Sequence, residues 1–288
     1  MLTCMSTRGT IVFSHANGFP AGTYRLLFKQ WLAAGYRVRA IEKFGHDPRY
    51  PVTSNWPHLR DQLIHFIEAE AQGPAWLVGH SLGGFLSILA AARRPDLAAG
   101  VVLLDSPIPS TLRGGLIGLF KLTGAVRRFS PSYVSRKRRE HWPTPSAAFD
   151  HFAMKPAFAR WDQEVLRDYI RSGLEAGEEQ HRLAFRREVE SRIYETLPHH
   201  MARVLARHRL ACPAAFVGGR RSTEVRLLGL DATRRLTRGR MSWIDGSHLF
   251  PFEHPGESAA EVMRWLERFD QGRANPRPAG AEPEVACL

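Results

Sequence analysis

The sequence predicts an α/β domain whose mostly parallel sheet is flanked by helices. Three observations carry that reading. Short apolar runs alternate with helix-forming runs from Thr10 to Asp105, the pattern of strands joined by crossover helices. Ser14-His15, Ser81 and Asp105 fall at the carboxyl ends of the apolar runs, where parallel sheets bind ligands. Apolar runs return at Ala214 and Met241 after a long helix-rich interruption, so one sheet is completed late in the chain.

The elements follow in order. Thr10 to Ser14, TIVFS, reads as the first strand, followed by the turn His15-Ala16-Asn17-Gly18-Phe19-Pro20. Tyr24 to Ala34 reads as a helix closed by Gly35, and Tyr36 to Ile41 as the second strand. A helix over Trp56 to Ala71 precedes the buried strand Trp76-Leu77-Val78. The helix Phe85 to Ala92 stops before Pro95, and Gly100 to Asp105 is a strand ending on a carboxylate. From about Pro107 to Arg209 the chain reads as helical, near Leu112–Phe129, Pro145–Met154, Asp162–Gly173, Leu183–Thr196 and His199–His208. Ala214 to Val217 and Met241 to Ile244 are the last strands, with a helix at Ala232 to Thr237 between them and another at Ala259 to Phe269. From Gln271 onward the proline- and alanine-rich sequence reads as a disordered tail.

Composition narrows the class. In 288 residues, 44% are hydrophobic and 24% charged, as in ordinary globular domains. No apolar run reaches the roughly 20 residues that span a bilayer, and no signal peptide or membrane anchor is read at the N-terminus. Cys4, Cys212 and Cys287 are scattered and form neither a disulfide framework nor a metal pattern, which points to a reducing, cytoplasmic setting. The net charge of +12 is mostly arginine and comes with no nucleic-acid-binding motif, so no nucleic-acid partner is expected. No metal-ligand spacing such as H-E-x-x-H occurs, and no cofactor is called for.

The chemistry concentrates in WLVGHSLGGF, Trp76 to Phe85. Gly79-His80-Ser81-Leu82-Gly83 fits G-x-S-x-G, in which a serine sits on a strained strand-to-helix turn. Glycines at 79 and 83 remove side chains that would collide there. A helix starting at Ser81 also turns its free N–H groups toward developing negative charge. Taken alone, the pattern also fits an ordinary glycine loop.

Context extends it. The elbow at 79–84, the early loop HANGFP and the late loop GSHLFPFEHP, Gly246 to Pro255, occur in the order of the α/β-hydrolase superfamily, which the chain resembles from about residue 8 to 270. The resemblance implies an α/β-hydrolase core in two parts, 1–106 and 210–270, a helical cap at 107–209 and a tail at 271–288. The family's first two antiparallel strands have no room here, so a sheet of about six strands is expected. The resemblance makes Ser81 the nucleophile and His248 its base. It makes Leu82 N–H and Phe19 N–H the oxyanion donors. Asn17, His80, Leu116 and Phe120 are expected around the substrate. One departure stands out: where the family usually carries its acid, the chain reads Gly219-Arg220-Arg221-Ser222-Thr223-Glu224, with serine at the aspartate position. Asp105 at the end of the strand after the elbow helix is the first choice for the acid, and Glu224 the alternative.

The implied activity is hydrolysis of a carboxylic ester or thioester of a small to medium molecule through an acyl-enzyme. Cleavage of a carbon–carbon bond by the same residues, or a non-catalytic binding protein on this fold, are the alternatives. The segment Ile108 to Arg209 holds 19 Lys/Arg and 11 Asp/Glu, a net of +8, which reads either as a solvated face or as a bias toward anionic substrates.

Overall fold

The computed structural model describes residues 8–124 and 131–274. Among these, nine strands form two sheets. The main sheet holds β1 (Thr10–Ser14), β2 (Arg37–Ala40), β3 (Ala75–His80), β4 (Ala98–Leu104), β8 (Ala214–Gly219) and β9 (Met241–Ile244). Their order is β2-β1-β3-β4-β8-β9, and every neighbouring pair is parallel. A second, antiparallel sheet joins β5 (His141–Trp142), β6 (Leu174–Ala176) and β7 (His181–Leu183) in the order β5-β7-β6.

β1, β3, β4 and β8 are buried at every residue, which is why they read as unbroken apolar runs rather than alternating ones. The edge strand β2 is only partly covered and carries Arg37 and Arg39, charges that blunt an open edge. On one face the sheet packs on the helices Arg25–Ala33 and Pro255–Ala274, through Leu27, Trp31, Val262 and Leu266. On the other it packs on Pro57–Glu70 and Leu82–Arg93, through Leu59, Leu63, Leu86 and Ile88. Gly35 closes the first of these helices at φ +88°, a left-handed position that disfavours side chains.

The registers bring the functional ends level. Ser14 lies beside Gly79, His80 beside Leu104, and Leu104 beside Val217. The residues that leave β3, β4 and β8 therefore emerge on one rim.

Between β4 and β8 run six described helices: Thr111–Leu122, Ser132–Arg136, Pro145–Ala153, Gln163–Gly173, Arg187–Glu195 and Met201–Arg207. Ser110, Thr144 and Asp162 cap three of them by accepting backbone N–H bonds. The helical reading of this segment needs one correction, because it missed β5, β6 and β7. Strands of two or three residues are too short to show an alternating pattern. The helix expected over Leu112–Phe129 ends at Leu122, and 125–130 lie outside the described residues. Among the contacts that tie the segment to the sheet domain, Asp162 N–H donates to Phe252 O at 2.9 Å, and Trp56 Nε1–H to Thr196 Oγ1 at 3.0 Å.

The first residues of the expected tail are helical instead. Residues 271–274 continue the last helix, where the Arg273 guanidinium lies 5.0 Å from the Trp76 ring centre and donates to Ala99 O. The remainder of the expected tail lies outside the described residues. No described helix is long and apolar enough to cross a membrane.

Candidate active site

Ser81 follows β3 with φ +52° and ψ −112°, a backbone conformation that is costly for any residue but glycine. The surrounding glycines make it possible. A Cβ on Gly79 would lie 2.3 Å from the Gly83 backbone, and one on Gly83 would lie 1.9 Å from Ser14 O. On Gly84 it would lie 2.1 Å from Ser106 Oγ. The turn is thus a three-way backbone contact with no room for a single methyl group. Ser81 N–H donates to Leu104 O at 3.0 Å, which continues the sheet one residue beyond β3. The Ser81 side is partly open to solvent, while every residue of the following helix to Ala92 is buried.

His248 lies in the loop after β9. Its Nε2 is 3.0 Å from Ser81 Oγ, and its Nδ1 is 2.7 Å from Asp105 Oδ2. With the carboxylate oxygen as acceptor, Nδ1–H is the donor there and Nε2 accepts the serine hydroxyl. Burial disfavours the charged imidazole, yet the hydrogen bond and the charge of Asp105, with a smaller contribution from Glu224, hold the His248 pKa above its ordinary value. The loop itself is fixed by Glu253, which accepts from Ser247 N–H at 2.9 Å and from the Ser247 hydroxyl.

Asp105 is fully buried and also sits at positive φ, +44°, directly after β4. Its Oδ1 accepts from Gly219 N–H at 2.8 Å, and its Oδ2 accepts from Ser222 Oγ–H at 2.5 Å as well as from His248. The carboxylate of Glu224 reaches 3.7 Å from His248 Nδ1, an ion-pair distance rather than a hydrogen bond. Of the two candidate acids, Asp105 makes the bond. Ser222, which stands where an aspartate was expected, binds that acid instead of replacing it. Asp105, Glu224 and His248 thus bring one side-chain N or O atom each within 4.8 Å of the others, with the imidazole facing both carboxylates.

Other expected residues take different places. His80 was expected beside the substrate, but its ring is fully buried. Its Nε2 donates to His248 O at 2.9 Å, so its Nδ1 must accept from Tyr24 Oη–H at 2.7 Å, and that hydroxyl accepts Ala16 N–H at 3.0 Å. Burial holds the His80 pKa well below its ordinary value, so the ring is neutral and serves as a brace between the early loop and the histidine loop. Sequence reasoning missed Tyr24, the middle of this brace, because an aromatic at a helix start reads as core.

His15 is braced likewise. Its Nδ1 donates to Ala16 O at 2.8 Å and its Nε2 accepts from Phe44 N–H at 2.9 Å, while burial lowers its pKa to about 4. Asn17 is buried, and its Nδ2 donates to Glu190 O at 3.0 Å. It thereby ties the early loop to the helix Arg187–Glu195. Phe19 N–H donates to Ala16 O at 3.2 Å within the same turn, and its ring packs on Trp161, Tyr169 and Phe252. Leu82 occupies the first position of its helix, where N–H groups have no carbonyl partner within the helix. Leu116, expected at a pocket wall, is 49% exposed, while Gly114 and Gly118 of the same helix pack against His199. Phe120 is half-buried on the same helix.

The fold is shared with known proteins. The alpha/beta hydrolase family model matches residues 11–262. The monoglyceride lipase of Homo sapiens is 34% identical over 105 residues, which cover 34% of this chain and 35% of that enzyme. The match to the Rattus norvegicus monoglyceride lipase covers 49% of that enzyme, so the chain spans about a third to a half of the length of such relatives. Among solved structures, E-2-(acetamidomethylene)succinate hydrolase superposes with a TM-score of 0.69 at 20% identity, covering 90% of this chain and 91% of that one.

Proposed function

The chain belongs to the α/β hydrolase family, and from that premise we propose that it is a serine hydrolase of carboxylic esters, with Ser81, His248 and Asp105 as its catalytic triad. The observation that carries the proposal is the unbroken series Ser81 Oγ–His248–Asp105, at 3.0 Å and 2.7 Å. The matches to lipases and esterases support an ester as the substrate.

A serine hydroxyl is a weak nucleophile until a base takes its proton. With Nδ1–H donated to Asp105, Nε2 of His248 is free to accept the Ser81 proton as Oγ attacks the ester carbonyl. Asp105 fixes that tautomer and stabilises the imidazolium that forms. The imidazolium returns the proton to the departing alcohol, leaving an acyl-Ser81 ester. Water, deprotonated by His248, then releases the acid and restores the serine. Charge developing on the carbonyl oxygen falls to Leu82 N–H at the helix N-terminus and to Phe19 N–H. Leu82 is the stronger of the two, because Phe19 N–H is already shared with Ala16 O.

The segment 107–209 acts in this reading as a cap. Asn17 and Phe19, on the loop of the oxyanion donors, are held by Glu190, Trp161 and Tyr169 from that segment. A thioester follows the same chemistry. Assay against p-nitrophenyl esters of two to eight carbons and the matching acyl-CoA thioesters tests the proposal. Turnover of the short esters that falls about 10⁴-fold or more in Ser81→Ala supports it. Turnover unaffected by that substitution refutes it.

A further inference from the structure

We propose that Glu224 is a positioning residue that shares with Asp105 the positive charge forming on His248, and that the Ser222 hydroxyl sets the division between them. The proposal rests on the reading of His248 as the catalytic base.

Asp105 is a heavily subscribed carboxylate. Gly219 N–H occupies Oδ1, while Ser222 Oγ–H at 2.5 Å and His248 Nδ1–H at 2.7 Å share Oδ2. Each donor stabilises the anion and draws charge from the oxygen that faces the imidazole. Ser222 therefore competes with His248 for a single atom. On the other side of Ser222 lies Glu224, its Oε2 3.4 Å from the Ser222 hydroxyl and 3.7 Å from His248 Nδ1. That carboxylate is held in place by the Thr223 hydroxyl at 2.8 Å.

The Ser222 oxygen is itself pinned, because it caps the helix Thr223–Leu228 by accepting Val225 N–H at 3.2 Å. Its position is fixed while its proton turns about the Cβ–Oγ bond. One proton thus faces two carboxylates. Donated to Asp105, it weakens the pull of Oδ2 on His248; the charge of Glu224, beside the same Nδ1, makes up the difference. The charged or titratable groups facing His248 are Asp105 from the end of β4, Glu224 from the helix Thr223–Leu228 and His80 from β3. The His80 ring centre lies 5.2 Å away, and burial keeps that ring neutral.

The test follows the titration of His248 in two independent ways: histidine-selective NMR without substrate, and the pH dependence of kcat/KM for p-nitrophenyl acetate. Wild type, Glu224→Gln and Ser222→Ala are compared, with thermal melts as the check on folding. Removing the Glu224 charge moves the His248 midpoint down by about half a unit or more in both measurements, and lowers the plateau of kcat/KM roughly tenfold. Ser222→Ala moves the midpoint up, because Oδ2 is then left to His248 alone. Glu224→Gln profiles that superimpose on wild type, or that drop uniformly with no shift of the midpoint, overturn the proposal. A shift seen by NMR in a protein whose ester turnover does not depend on Ser81 upholds the shared charge and instead removes the serine-hydrolase reading.

Discussion

The nucleophile side and the acid side of the site are held by different physics. Around Ser81 the constraint is steric and local: three glycines within six residues, each with backbone or a short side chain where a Cβ would go. Around Asp105 the constraint is polar and long-range. Its partners Gly219, Ser222 and His248 are more than a hundred residues away in the chain. Local steric needs leave a mark in the sequence, since only glycine meets them. A hydrogen-bond network leaves little mark, since several residue types can fill each of its places.

The largest expected effect separates the two carboxylates. Asp105→Asn should lower kcat for p-nitrophenyl acetate by about 10⁴-fold, because the amide inverts the tautomer of His248. A loss of tenfold or less, with Glu224→Gln the more damaging change, would move the acid from β4 to the helix Thr223–Leu228 and erase the contrast.

The steric side breaks in a different way. Gly83→Ala places a methyl group 1.9 Å from Ser14 O, and neither backbone segment can withdraw without disturbing the sheet. We expect a loss of about 3 kcal/mol or more, seen as a drop in the denaturant midpoint or failure to fold. A variant with the wild-type midpoint would show that the elbow has slack.

Between these lies the brace. His80→Phe keeps a ring in the core but leaves His248 O without its donor and the Tyr24 hydroxyl proton without its acceptor. The expected cost is about 1–3 kcal/mol of stability, with turnover reduced as the His248 loop loosens. Unchanged stability would mean that water or another group takes over both bonds. The smallest effect is a gain. Gly115→Ala lies in a helix with nothing within 4 Å of the new Cβ, and should stabilise by about 0.5–1 kcal/mol in denaturant melts. A loss there would refute the local argument that distinguishes Gly115 from Gly83.

How much could be read beforehand follows the same division. The apolar runs of β1, β3, β4 and β8, the elbow and the histidine loop were legible, because burial on both faces and close backbone contact each demand particular residues. The three short strands in the 107–209 segment were not, being too short to show a repeating alternation. His80 was misplaced because its role depends on Tyr24 and on the backbone of His248, 168 positions away. The apolar run Gly114–Leu122 does not reveal which of its faces packs; Gly114 and Gly118 do so against His199. The choice between Asp105 and Glu224 needed the distances themselves.

The central claim is that Ser81 is a nucleophile activated by His248. Labelling with a fluorophosphonate, followed by mass spectrometry of the modified peptide, tests it most directly. The account predicts one adduct per chain, on Ser81, formed quickly in wild type and about a thousandfold or more slowly in His248→Ala. An unlabelled wild-type protein, an adduct on another residue, or labelling of Ser81 that ignores the loss of His248 would contradict it.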